Sequence, residues 1–259
     1  MYNVKSINLR ELNIVLVKRS TDSTVKVEAP EKTKITEKDG TLTIEGDGLS
    51  TSKGNITITG GNIFGNMFSS SKTVIRGSGN ISINNGGKSV NIVGDKVYID
   101  GKLVSGKDDG KEMPEEKPVI IYIPDDLNCT IEDCNNVQFE EDFKFQIIVL
   151  QTQGFGDIRS KNIEAQSATL TASGQSEIKI ASLNTSVMVG TASGQATLKV
   201  KDGKFMQAII TSSGQSTLKV EGIIENVIAN SSGQSTCKFT TPTNRPNISK
   251  SGQSTCKAI

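Results

Sequence analysis

Ser-Gly-Gln occurs five times in the last third of the chain, beginning at Ser173, Ser193, Ser213, Ser232 and Ser251, with spacings of 20, 20, 19 and 19 residues. A period near 20 is too short for helix-pair repeats and indicates a parallel β-solenoid with coils of about 20 residues. One such coil cannot bury its apolar face alone, so the coils must stack to fold. Each copy continues as Gln-[Ser/Ala]-[Thr/Glu]-[Ile/Leu/Cys]-Lys. Side chains of a strand alternate between two faces, which separates these positions into columns. One parity holds Ile178, Leu198, Leu218, Cys237 and Cys256, then Ile180, Val200, Val220, Phe239 and Ala258. These columns are expected to face inward. The other parity holds Gln175, Gln195, Gln215, Gln234 and Gln253, the Glu177–Thr197–Thr217–Thr236–Thr255 column, and Lys179, Lys199, Lys219, Lys238 and Lys257. These are expected to face solvent, with the glycine at a corner that requires positive φ.

A second strand precedes each serine. Its inward column is Leu170, Gly190, Ile210, Ala229 and Ile248, with Gly190 the odd member. The shortening from 20 to 19 falls between Val220 and Asn226, and again between Phe239 and Arg245. Both deletions therefore sit in a connecting corner, where losing a residue leaves the strand register intact.

The rest of the chain also reads as β. Asn13–Lys18 and Thr24–Glu28 are strand-like, and Ile35 to Ile44 reads as a hairpin turning at Lys38-Asp39-Gly40. Gly54-Asn55-Ile56-Thr57-Ile58 recurs as Gly79-Asn80-Ile81-Ser82-Ile83, which suggests degenerate coils, with a glycine-rich, aromatic-bearing loop between them. Val90–Val93 and Lys96–Ile99 read as a second hairpin. The charged, proline-bearing stretch around residues 105–118 lacks periodicity and reads as a flexible loop. The expected organisation is an N-terminal β region over 1–104, the loop over 105–118, and the solenoid over 119–259.

The run Pro118-Val-Ile-Ile-Tyr-Ile-Pro124, followed by short strands and glycine-corner repeats, resembles the bacterial head-GIN-domain family of adhesin-like β-solenoid proteins over about residues 119–259. The resemblance implies a right-handed solenoid and a bacterial source, and it carries over no catalytic residue.

The chemistry open to the chain is narrow. Histidine is absent, which excludes histidine triads, histidine metal sites and histidine bases. The four cysteines read as reduced thiols; a Cys237–Cys256 bridge is geometrically open, and a zinc site is disfavoured by the spacing. Asp125-Asp126 and Glu140-Glu141-Asp142 match no calcium loop and read as solvated turns. A carbohydrate-active β-helix enzyme would need paired carboxylates, and the repeats offer only Glu177 on the outward face. No cofactor or metal is expected.

Two surfaces remain. The stacked Gln, Thr and Lys columns form a basic, hydrogen-bonding strip that would suit an anionic polymer or acidic protein; the alternative is a solvated face that keeps the sheet soluble. The last coil would present an unpaired edge through which the chain could form a homo-oligomer. With a net charge of +1 there is no global field to steer it. No apolar run is long enough for membrane insertion, and no leader pattern opens the chain. The chain as written is thus expected in the cytoplasm, or outside the cell if a leader has been removed. The reading is a non-enzymatic, adhesin-like or scaffold module.

Overall fold

Strand after strand of alternating buried and exposed residues follows the chain in the computed structural model, which describes residues 1–46 and 117–259 together with the backbone of four strands between 81 and 105. In chain order the strands are β1 (Ser6–Arg10), β2 (Ile14–Arg19), β3 (Lys26–Glu28), β4 (Lys34–Lys38), β5 (Thr41–Glu45), β6 (Ile81–Asn85), β7 (Lys88–Val93), β8 (Lys96–Ile99), β9 (Lys102–Ser105), β10 (Val119–Ile123), β11 (Leu127–Glu132), β12 (Asn136–Phe139), β13 (Phe143–Thr152), β14 (Asp157–Ala172), β15 (Glu177–Ala192), β16 (Thr197–Val200), β17 (Gly203–Ser212), β18 (Thr217–Val220), β19 (Ile223–Ser231), β20 (Thr236–Phe239), β21 (Asn247–Lys250) and β22 (Thr255–Ala258). There is no helix among the described residues. The fold is a β-solenoid whose coils repeat every 20 residues or so.

Stacking is parallel and in register. One sheet runs from β12 through the first part of β14 and of β15 to β16, β18, β20 and β22. The returning sheet runs from β11 through β13, the later parts of β14 and β15, then β17, β19 and β21. A shorter third side joins Phe143, Ile163, Leu183 and Gly203. The inward columns expected from the repeat are buried up to the last coil: Ile178, Leu198, Leu218 and Cys237 are fully buried and Cys256 nearly so, while Ile248 and Ala258 in the last coil are only partly buried. The shortened coils keep their register across the corner, where Gly222 stacks on Gly203.

The odd glycine has a packing reason. Met188 occupies a column that holds alanine at 168 and 208, and a Cβ on Gly190 would lie 2.9 Å from the Met188 methyl. A large residue in one column is thus matched by an absent side chain in the next, which preserves packing density. The buried serines at the corner are likewise satisfied. Ser176 Oγ donates to the Ser173 carbonyl at 2.7 Å, Ser216 Oγ to Ala192 at 2.9 Å and Ser235 Oγ to Ser232 at 2.8 Å.

The N-terminal residues do not precede the solenoid; they are built into it. β1 lies between β5 and β11, and β2 lies between β10 and β12, all parallel. Residues 1–47 and 117–259 therefore form one unit, with 48–116 a second. This differs from the sequence-based division at 104 and 119, because strands some 120 residues apart share a ladder. The two ladders and the buried Val15 and Val17 hold the inserted strand, and ion pairs flank it: Arg19 pairs with Asp125, and Lys18 pairs with Glu140 at 3.3 Å. The Arg19 backbone N–H also donates to Glu141 at 3.4 Å. Both acidic clusters lie in turns, as read, and from them Asp125, Glu140 and Glu141 reach β2. Antiparallel strands close this end of both sheets, β3 beside β10 and β4 beside β5. The β4–β5 hairpin turns at Asp39 and Gly40, both with positive φ, as its sequence indicates.

In the second unit, β6 to β9 form an antiparallel four-stranded sheet. The β7–β8 hairpin appears where expected, but Ile81–Ile83 enters this meander instead of a degenerate coil. The Gly54–Ile58 copy, the aromatic loop and most of the 105–118 stretch lie outside the described residues.

Candidate functional site

The outward face of the β14–β22 sheet gathers the residues singled out by the repeat. Backbone register aligns Lys179, Lys199, Lys219, Lys238 and Lys257 on successive rungs, with Arg159 placed one rung earlier. The cation column therefore has six members, at about 4.8 Å per rung. Beside it run Asp157, Glu177, Thr197, Thr217, Thr236 and Thr255.

Charge along the strip is uneven. At its head, Arg159 binds Asp157 at 2.7 Å and lies 3.9 Å from Glu177, which also holds Lys179 at 2.6 Å. The Asp157 carboxylate, by hydrogen bond and charge, raises the Arg159 pKa above its ordinary value. Lys219 pairs with Glu221 at 2.8 Å. Lys199, Lys238 and Lys257 have no ion-pair partner among the described residues. Positive charge is thus uncompensated mainly toward the later rungs.

The glutamines stand on the corner, in the turn that precedes each strand, and not on the sheet itself. They are exposed and linked along the stack. Gln195 Nε2 donates to Gln215 Oε1, and Gln215 Nε2 to Gln234 Oε1, both at 3.4 Å. The corner backbone is equally regular: the N–H of Gln175, Gln195 and Gln215 each donates to the glycine carbonyl of the preceding corner at 2.7 Å. At the head of this ridge stands Phe155, 75% exposed. Phe155 and Arg159 were legible in Phe155-Gly156-Asp157-Ile158-Arg159, whose residues align with the repeat, but only the register makes them members of the columns.

The remaining surface offers less chemistry. A groove of about 350 Å³ on the third side includes Glu164, Lys204, Met206, Ile223 and Glu225. Its two carboxylates lie on rungs three apart, about 14 Å, beyond the 5–9.5 Å separations of glycosidase pairs. Glu164 is also held by Lys144 at 3.0 Å. Among the described residues no group of three or more His, Cys, Asp or Glu could hold a metal. The four thiols are free and buried; burial pushes Cys129 and Cys134 up to about 12 and raises Cys237 and Cys256 as well.

Comparison with known proteins agrees with this fold. A crystal structure of a putative adhesin from Bacteroides fragilis superposes with a TM-score of 0.58 at 13% identity, covering 100% of this chain and 94% of that one. A putative adhesin from Parabacteroides merdae gives 0.53 at 9% identity, with 100% and 93% covered. A "putative lipid binding protein" from Parabacteroides distasonis gives 0.51 at 13% identity, with 100% and 92% covered. At these identities the likeness concerns the fold. No functionally curated protein matches the chain. The family model described as "Putative auto-transporter adhesin, head GIN domain" matches residues 88–258, more than half of the sequence, and the chain belongs to that family.

Proposed function

We propose that this head-GIN-domain protein is a non-enzymatic, adhesin-like interaction module that docks an anionic polymer along its Gln/Thr/Lys face. The observation that carries the reading is the column of six cations on consecutive rungs, three of them without an ion-pair partner among the described residues. Stacked like charges are mutually destabilising. A face needed only for solubility would serve as well with the two signs interspersed. A rigid sheet also presents the charges without an ordering cost at binding.

The test is binding of sodium polygalacturonate and of poly-L-glutamate to the full chain at several salt concentrations. Affinity should fall as salt rises, because bound polymer releases counterions. Lys199→Glu combined with Lys238→Glu should weaken binding of both polymers at least about tenfold, taking about 1 kcal/mol per cation near an anionic surface. The same variant should fold at least as stably as the parent, since it converts like-charge neighbours into opposite ones. Salt-insensitive binding, or binding unchanged in the variant, would refute the reading.

A further inference from the structure

We infer that the polymer taken by this face is an acidic polysaccharide with a carboxylate on successive sugar rings, packed against Phe155 and hydrogen-bonded by the glutamine ridge. This rests on the polyanion reading above and narrows it. Two features of the face have no use in charge recognition alone, and a third, the spacing of its cations, bears on which polyanion fits.

The first is Phe155. Among the described residues it is the only exposed phenylalanine; Phe139, Phe143, Phe145, Phe205 and Phe239 are all buried. It caps the corner column, one rung before Gln175, whose N–H bonds the Gly154 carbonyl. An exposed aromatic at the head of the glutamine ridge is a platform for the apolar face of a flat ring. The second is the ridge itself. Gln215 uses one amide bond each way along the stack, Gln195 only donates and Gln234 only accepts. Each amide has two donor hydrogens and two acceptor lone pairs, so capacity remains on both groups. Neutral groups that donate and accept suit hydroxyls, as do the threonines beside the lysines.

The third is spacing. The strip places one cationic side chain on each rung, about 4.8 Å apart, with those of Arg159, Lys179 and Lys219 held in ion pairs. A B-DNA strand carries one phosphate per about 3.4 Å, so the two repeats fall out of step within a few rungs. The duplex also curves away from a flat face. Single-stranded nucleic acid is bound by stacking successive bases on successive aromatics, and this strip has one aromatic, at its end. An extended acidic peptide places same-face carboxylates about 6.6 Å apart and has no ring for Phe155. A pyranose chain lying along the stack advances by roughly one ring per rung of about 4.8 Å, but successive rings are rotated about the chain axis, so its carboxylates return to the lysine face only on some of the rings. It is the ring for Phe155 and the intervening hydroxyls that set it apart from a peptide. Its face-on carboxylates can meet some lysines of the column while the hydroxyls of the rings between them meet Thr and Gln.

The experiment measures binding of polygalacturonate, poly-L-glutamate and a single-stranded oligothymidylate to the full chain at one salt concentration, with probes matched in charge number. Polygalacturonate should bind tightest. Phe155→Ala should weaken it about three- to tenfold, the range of an aromatic contact, and leave poly-L-glutamate unchanged. Gln195→Ala with Gln215→Ala should act in the same selective way. Both sets of side chains are exposed, and circular dichroism checks that the variants fold. The inference is overturned if poly-L-glutamate or oligothymidylate binds as tightly as polygalacturonate, or if Phe155→Ala affects both polymers equally or neither. In those cases the lysine-dependent binding still stands. If no polymer binds, both this inference and the polyanion reading fail.

Discussion

Alanine at Gly214 and alanine at Gly154 should differ, although the two glycines share the same backbone conformation. Both sit at solenoid corners, with φ of +71° and +65°. An L-residue in this region costs about 1–2 kcal/mol, partly offset by about 0.4–1 kcal/mol from the stiffer unfolded chain. That alone predicts a loss of about 1 kcal/mol at either site. The sites differ in what lies beside them. A Cβ at Gly214 would stand 2.9 Å from the Gly194 carbonyl oxygen and 3.1 Å from its nitrogen. That oxygen accepts the Gln215 N–H at 2.7 Å, so the corner can relax only by stretching a ladder bond. Overpacking of this kind costs about 1–3 kcal/mol, which brings Gly214→Ala to about 2–4 kcal/mol. At Gly154 a Cβ would meet nothing within 4 Å. Urea unfolding followed by far-ultraviolet circular dichroism reads the difference as a shift in midpoint at unchanged slope. An equal loss at the two positions, or a greater one at Gly154, would refute the claim that close stacking of corner backbones fixes glycine in the repeat.

Three further outcomes are expected. Buried thiols keep their protons in the folded state while unfolded cysteines lose theirs. Their stabilisation is therefore complete below about pH 9 and is lost progressively as pH rises toward the folded values, about 12 for Cys129 and Cys134. Urea midpoints should fall steeply above pH 9, and Cys129→Ala with Cys134→Ala should flatten that fall. Residues 117–259 expressed alone leave an empty rung between β10 and β12, so circular dichroism should show reduced order that is restored by adding a 1–47 peptide; full order without the peptide would contradict the interleaved topology. Among the described strands, β21 and β22 each pair on one side only. Self-association through that edge predicts a concentration-dependent dimer by sedimentation velocity that Ile248→Glu weakens, and a parent that stays monomeric at high concentration would exclude it.

The sequence by itself determined the coils from Ser173 onward. Alternation separates Leu198 and Leu218 from Lys199 and Lys219, and repetition at 20 and 19 residues fixes which side chains stack. A solenoid rung touches only its neighbours, so a local repeat encodes nearly all of its contacts. Tertiary structure decided what has no repeat behind it. Ile14–Arg19 fills the rung between β10 and β12, a pairing across more than a hundred residues that leaves no periodic trace. Gly190 is explained by Met188, a volume exchange between columns that becomes visible only when both point into one core. The candidate site divides in the same way. The lysine and glutamine columns were legible as pattern. Phe155 and Arg159 joined them only through register, because membership of a stacked surface is set by which backbone lies alongside which.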